Sequence, residues 1–174
     1  MSAKDLLVDA AQRPAQVAGD VLEGISGDTL HCMPGDTQNS IAWLIWHSAR
    51  QQDAQIANLS QKQQVWAAQG WDEKFDLDRG PDDFGFGDGP EDVARVRVTD
   101  PDLLRDYLNA VTSATVDYLG TLRDSDLDQV IDDSWDPPVT RGVRIVSTID
   151  DAAQHLGQAA YVRGLVQDSW RGKY

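Results

Sequence analysis

The stretch Ile41-Ala42-Trp43-Leu44-Ile45-Trp46-His47 contains the longest uninterrupted apolar run of the chain and ends in a histidine. Ser40, directly before it, is a favourable helix N-cap, and the apolar spacing that follows predicts a helix to about Leu59. Because the start of this helix is apolar on every side, we expect that end to be buried. His47 must then either satisfy both ring nitrogens with protein partners or bind a ligand.

Three more segments show the same helical spacing of apolar residues. They predict helices from Lys4 to about Ile25, from Pro101 to about Leu122, and from a cap at Ser147 or Thr148 to about Val166. Four helices of roughly 18 to 22 residues each would span about 30 Å and bury a common core. The sequence therefore predicts an all-α fold, a four-helix bundle in a single domain over residues 1–174. Residues 143–146 are predicted as a short extended piece before the last helix.

The segment between the second and third predicted helices, residues 61–99, is a long acidic loop in this interpretation. Nine Asp and Glu side chains lie between residues 72 and 92, among several glycines. Aromatic side chains in such a loop indicate that it packs over something, and Trp71 and Phe75 make it a candidate lid. The alternative is a solvated loop whose aromatic residues cover the core. A short helix is predicted to begin near residues 89–91.

Composition restricts the partners and the compartment. The 174 residues include 15 Lys and Arg against 29 Asp and Glu, which gives a formal charge of −14. Such a charge disfavours binding to nucleic acid and to anionic membrane surfaces. The longest apolar run is too short to span a bilayer, and the first residues lack the apolar core of a signal peptide. A single cysteine, Cys32, forms no internal disulfide, so we expect a cytoplasmic protein.

A pattern typical of metal ligands lies in the last predicted helix. Asp151 and His155 are four residues apart and share one helix face, with Gln158 on the same stripe. Together with His47 from the second helix they would form a set of two histidines and one carboxylate. Such a set leaves positions open for water or substrate, as in catalytic zinc and non-haem iron sites. The alternative is a surface hydrogen bond between Asp151 and His155 beside an isolated core histidine.

Three stretches make the chain resemble the DinB-like (YfiT-like) metalloprotein superfamily. They are IAWLIWHSARQQD at residues 41–53, GWDEKF at residues 70–75 and DDAAQHLGQAAYVRG at residues 150–164. The last is the most specific, because the family there carries His-x-x-x-His followed by a Gly-Gln pair. The resemblance is to the branch with mycothiol-dependent maleylpyruvate isomerase and related thiol S-transferases. It implies a four-helix bundle with a metal held by the second and fourth helices.

The resemblance also implies which residues hold the metal. His47 matches the ligand of the second helix and His155 matches the second ligand of the fourth. Asp151 occupies the position of the first, where many members have His and the isomerase has Glu. Being shorter than Glu, Asp151 would either bind the metal directly or hold a metal-bound water. Asp53, six residues beyond His47, is placed to accept a hydrogen bond behind the site. The implied metal is Zn²⁺, with Ni²⁺ or Fe²⁺ as alternatives.

The activity implied by the resemblance is a metal-dependent thiol S-transferase or isomerase, acting as a homodimer. A low-molecular-weight thiol such as mycothiol would be the co-substrate, and its thiolate would attack a small electrophile. Two alternatives stay open: a metal-dependent hydrolase or lyase on the same bundle, and a non-catalytic dimeric bundle that has lost the metal.

Four further side chains are candidates for contacts with the thiol or the substrate. Arg50, one turn from His47, would orient an anionic group or else form a surface ion pair. Gln158 would donate to substrate or water, or else pack between helices. Trp43, as a pocket wall, and Trp71, from the candidate lid, are predicted to contact the thiol.

Overall fold

The computed structural model describes residues 2–173, and most of them are helical. In chain order the α-helices are α1 (Ala3–Leu22), α2 (Gly27–His31), α3 (Ile41–Ser60), α4 (Val65–Ala68), α5 (Trp71–Phe75), α6 (Pro90–Arg95), α7 (Pro101–Thr121) and α8 (Arg141–Val166). Short 3₁₀ helices lie at Pro34–Asp36 and Asp124–Asp126. Strands β1 (Val130–Asp132) and β2 (Val139–Thr140) form an antiparallel hairpin before α8. The prediction of a mainly helical fold is confirmed.

The core lies between the four long helices. Helix α3 packs against α7 and α8, and α1 packs against the same two helices. Every residue of α3 from Ile41 to Asp53 is buried, so the prediction that the apolar start of this helix is buried is correct. The side chain of Ser40 accepts a hydrogen bond from the Trp43 N–H, as expected of the N-cap. No helix within residues 2–173 is both long and apolar enough to cross a membrane.

Helix α8 begins earlier than predicted. Its N-cap is Thr140, whose side chain accepts from the Val143 N–H, so residues 143–146 are helical and their prediction as an extended piece is wrong. The β-branched residues favour a strand locally, but Ile145 is buried between two exposed valines, which is a helical pattern. Thr148, predicted as a possible cap, donates its hydroxyl to the Arg144 carbonyl inside the helix. The β1–β2 hairpin was not predicted, because its strands have only two and three residues.

Residues 61–99, predicted as a long loop and candidate lid, contain more helix than predicted. The segment contains α4, α5 and α6, the last of which confirms the helix predicted near residue 90. Trp71 and Phe75 are buried and pack on Tyr107 of α7, with ring centroids 5.4 Å and 5.7 Å from it. Burying two aromatic rings against a long helix stabilises the core, so these two residues do not form a lid. The alternative, aromatic residues that cover the core, is the correct one.

Asp53 fixes the start of this segment on α3. Its carboxylate accepts hydrogen bonds from the backbone N–H groups of Val65 and Trp66, both at 2.8 Å, and from the Tyr107 hydroxyl at 2.9 Å. Burial raises the pKa of Asp53, although these three hydrogen bonds favour its charged form. The expectation that Asp53 supports His47 is therefore wrong, because its oxygens are occupied by α4 and α7.

Replacing Asp53 by Ala should destabilise the protein by about 3 kcal/mol, because it leaves two backbone N–H groups and the Tyr107 hydroxyl without their acceptor. It also removes the carboxylate that lies 3.9 Å from the buried Arg50 guanidinium. Urea unfolding followed by circular dichroism measures the change. Asp9→Ala is the control, since Asp9 pairs with Arg13 on the surface and should contribute less than about 1 kcal/mol. Equal losses in the two variants would contradict this account of Asp53.

Candidate metal centre

Three side chains from two helices meet where α3 packs on α8. One ligand atom from each of His47, Asp151 and His155 lies within 4.8 Å of the other two. The two imidazole centroids are 4.7 Å apart. Asp151 and His155 share a face of α8 because they are one helical turn apart. The structure therefore brings together the three residues that the sequence singles out as metal ligands.

Both histidines use the same nitrogen for a backbone hydrogen bond. His47 contacts the Phe84 carbonyl through Nδ1, and His155 contacts the Asp151 carbonyl through Nδ1 at 2.8 Å. A carbonyl oxygen only accepts, so each Nδ1 carries the proton and each Nε2 of a neutral ring keeps its lone pair. Within residues 2–173 neither Nε2 has a hydrogen-bond partner. This is the arrangement of a metal-binding imidazole.

His31 provides the contrast. Its Nδ1 also contacts a carbonyl four residues earlier, that of Gly27, at 2.9 Å. Its Nε2, however, accepts a hydrogen bond from the Val98 N–H at 3.1 Å. Both nitrogens of His31 are thus satisfied by the protein. Of the three histidines, only His47 and His155 retain a nitrogen for a ligand.

Asp151 brings a buried carboxylate oxygen to the cluster. This oxygen, Oδ2, makes no hydrogen bond among the described residues, and it lies 3.3 Å from Nδ1 of His155. Burial lowers the pKa of His155, but the Asp151 side chain and carbonyl outweigh this and raise the pKa overall. Burial lowers the pKa of His47, and the proximity of His155 adds to that effect. A neutral His47 in one cluster with the Asp151 carboxylate fits a cation.

One face of the His47 ring is covered by a tryptophan that is itself fixed by a hydrogen bond. Trp43 stacks on it with a centroid distance of 4.5 Å and an interplanar angle of 7°. The Trp43 indole N–H donates to Asp88 at 2.8 Å, and Asp88 in turn accepts from Arg79 at 2.6 Å. Burial would raise the pKa of Asp88, but these two donors and the Arg79 charge lower it overall. The carboxylate therefore stays charged and fixes the indole.

Gly85 lets the backbone reach His47. It has a φ of +83°, and a Cβ there would lie 2.9 Å from the Trp46 ring and 3.3 Å from Nδ1 of His47. Any side chain at this position would push the Phe84 carbonyl away from the imidazole. The glycine-rich stretch at residues 85–89 thus positions a candidate ligand, a role that was not predicted from the sequence.

A cavity of about 540 Å³ lies beside the cluster and is lined by two of its three side chains. His47 and Asp151 lie on its wall, and Phe84 and Phe86 form its aromatic side. Phe86 is 86% exposed, so it lies at the rim. The cavity gives a small molecule access to the cluster.

Comparison with known proteins agrees with this geometry. A protein-family model described as the DinB superfamily matches residues 12–159. The chain belongs to the DinB superfamily.

A solved structure described as the conserved protein of locus from Enterococcus faecalis is similar to this DinB superfamily member over 97% of this chain and 99% of that one. The two share 38% sequence identity with a TM-score of 0.90. No curated protein matches the sequence.

The remaining predicted site residues of this DinB superfamily member lie in different places. Trp43 is at the centre, stacked on His47. Arg50 is completely buried and donates to Gln64 and to the carbonyls of Pro81 and Asp83, so its reading as a surface ion pair is wrong and the structure does not bring it to the cavity.

Two more predicted residues are also outside the centre. Gln158 is exposed and lines a separate cavity with Tyr161 and Leu165. Trp71 belongs to the aromatic cluster on Tyr107 and does not line the cavity beside His47. The prediction of Gln158 and Trp71 as contacts for the thiol or substrate therefore gains nothing from their positions.

Replacing either His47 or His155 by Ala should abolish retention of a divalent metal through dialysis, because each change removes one donor of three. Elemental analysis of untagged protein measures the metal content. His31→Ala is the matched control and should retain the metal, since both His31 nitrogens are used by the protein. Equal metal content in His31→Ala and His155→Ala would contradict the assignment.

Gly85→Ala should weaken metal affinity by about tenfold or more, because it displaces the acceptor that orients His47. Competition with a chromophoric chelator measures the affinity. Gly87→Ala is the matched control: Gly87 has a φ of +81°, but a Cβ there would meet nothing within 4 Å. If the two variants lose affinity equally, backbone strain and not contact with His47 explains the effect.

Proposed function

We propose that this DinB superfamily member is a divalent-metal-dependent thiol S-transferase or isomerase that uses a low-molecular-weight thiol such as mycothiol. The observation that carries the proposal is the cluster of His47, Asp151 and His155 beside an open cavity. Among the described residues, both Nε2 atoms and one buried Asp151 oxygen make no hydrogen bond. Three protein donors leave room for a further ligand from the cavity, as catalytic sites require.

We propose Zn²⁺ as the cation, as the family resemblance implies, and Ni²⁺ or Fe²⁺ also accept two imidazoles and a carboxylate. When bound, a divalent cation supplies the positive charge that keeps a thiol sulfur deprotonated at neutral pH. The carboxylate of Asp151 reduces the net charge of the site compared with three imidazoles. The sulfur would therefore be held less tightly, which favours its transfer to an electrophile.

The protein's own groups prepare this site before a thiol binds. The carbonyls of Phe84 and Asp151 keep the Nδ1 protons in place, which leaves the Nε2 lone pair of each ring for a cation. The Trp43 ring covers one face of His47 and excludes water from it. The thiol and the electrophile would enter through the cavity, past Phe84 and Phe86.

The acidity of the chain opposes an anionic thiol at this point less than the net charge suggests. The nearby carboxylates Asp83 and Asp88 pair with Arg79 at 3.0 Å and 2.6 Å. Arg79 also lies over the Trp46 ring, 4.7 Å from its centroid. Paired charges next to the site create a weaker field than the formal charge of −14 suggests.

Three further features belong to the same proposal. The contacts of α1 and α3 with α7 and α8 support a four-helix bundle. The exposed side chains of Tyr161 and Leu165 support a homodimer, which sedimentation analysis would test. One free cysteine, Cys32, supports a cytoplasmic location.

The test is a thiol panel with metal-loaded protein and the electrophile monochlorobimane. Mycothiol, bacillithiol, glutathione and cysteine are compared, and we expect one thiol to give conjugation well above the uncatalysed rate. His155→Ala should lose this activity and His31→Ala should keep it. Metal binding without thiol-dependent conjugation would contradict the proposal in favour of a hydrolase or lyase. A protein that binds no metal would be a non-catalytic bundle.

A further inference from the structure

A basic side chain shares the cavity with the candidate metal ligands. Arg144 and Asp151, both on α8, line this cavity. Among the described residues, Arg144 is the one Lys or Arg that does so. The residues 144, 148, 151 and 155 follow one another at helical steps of four and three, so they form a single stripe. Arg144 and Asp151 are separated by about 10 Å along the helix axis.

The guanidinium of Arg144 has donors to spare. Its side chain is 27% exposed, and within residues 2–173 its hydrogen bonds consist of one from Nη1 to Gln55 at 3.1 Å. Asp132 is 3.6 Å from Nη2, beyond hydrogen-bond distance. The other oxygen of Asp132 is occupied by the backbone and hydroxyl of Ser134. Arg144 and Asp132 thus form a loose ion pair, and most of the five N–H donors of Arg144 make no hydrogen bond within the described residues.

The other arginines near the site differ in this respect. Arg50 and Arg79 are buried, and each donates four hydrogen bonds to neighbouring carbonyl, amide or carboxylate oxygens. Both fix the segment that follows α3. Arg144 is the arginine that combines partial burial, unused donors and access to the cavity, which is the environment of a ligand-binding arginine.

We infer that the cavity binds a small molecule with a carboxylate group, that Arg144 anchors this carboxylate, and that the apolar part of the molecule lies against Phe84 and Phe86. A guanidinium matches a carboxylate with two parallel hydrogen bonds, which a neutral amide does not reproduce. In a chain of net charge −14, a partly desolvated cation at a cavity wall selects for an anion. For the proposed thiol transferase, this means that the electrophilic substrate carries a carboxylate group. That part of the inference rests on the proposed function.

Binding of a matched pair of compounds tests the inference without any turnover. Titration calorimetry compares 3-phenylpropionate with its neutral amide on the metal-loaded protein. We expect the carboxylate to bind about tenfold more tightly or better, the effect of one charge-assisted interaction. Arg144→Gln and Arg144→Met should reduce this preference to about one, and Arg144→Lys should keep an intermediate preference. Arg95→Gln is the control, because Arg95 pairs with Asp92 on the surface.

The outcomes separate this inference from the proposed function. A preference that survives Arg144→Gln or Arg144→Met, with the metal retained, would mean that the carboxylate binds elsewhere, for example to the metal, and would overturn it. Equal binding of acid and amide to the wild-type protein would overturn it too. If the preference depends on Arg144 but no thiol is conjugated, the carboxylate site stands and the transferase proposal fails.

Discussion

Three polar side chains at steps of three residues on α3, His47, Arg50 and Asp53, are all buried, and the structure depends on how they are satisfied. Buried polar groups need partners, and the long helices provide few of them here: α7 contributes the Tyr107 hydroxyl, which donates to Asp53. The segment after α3 provides others: N–H groups of α4 serve Asp53, carbonyls of residues 81 and 83 serve Arg50, and the carbonyl of residue 84 serves His47. The segment thus runs back along α3 and ends at the candidate metal ligand.

The acidity of this segment acquires a structural meaning from the same contacts. Asp83 and Asp88 hold Arg79, and Arg79 and Asp88 in turn hold the rings of Trp46 and Trp43 beside His47. Several other acids between residues 72 and 92 are exposed and contribute only to the net charge. A charge count over the segment therefore does not predict the field at the site, because the acids closest to the site are the paired ones.

The fold and the candidate ligands were largely readable from the sequence, because both depend on side-chain spacing. An apolar run after Ser40 predicted α3 and its burial, and the four-residue step from Asp151 to His155 predicted one shared face. The start of α8 was missed, since the β-branched residues 143–146 favour a strand until the Thr140 cap and the burial of Ile145 are known. The contact from the Phe84 carbonyl was missed because a backbone oxygen carries no sequence signature.

Residue type alone did not distinguish functional from structural side chains. His31 and His155 make the same Nδ1 contact to a carbonyl four residues earlier, but the Nε2 of His31 has a hydrogen-bond partner and that of His155 has none among the described residues. Arg50 and Arg144 differ in the same way, one with its donors used by the protein and the other with most of them unused. Because burying a polar group without a partner costs free energy, such a group persists where a ligand restores its partner. The candidate site is therefore defined by groups that the protein itself leaves unused. These are His155 and Asp151 for the proposed cation and Arg144 for the proposed carboxylate.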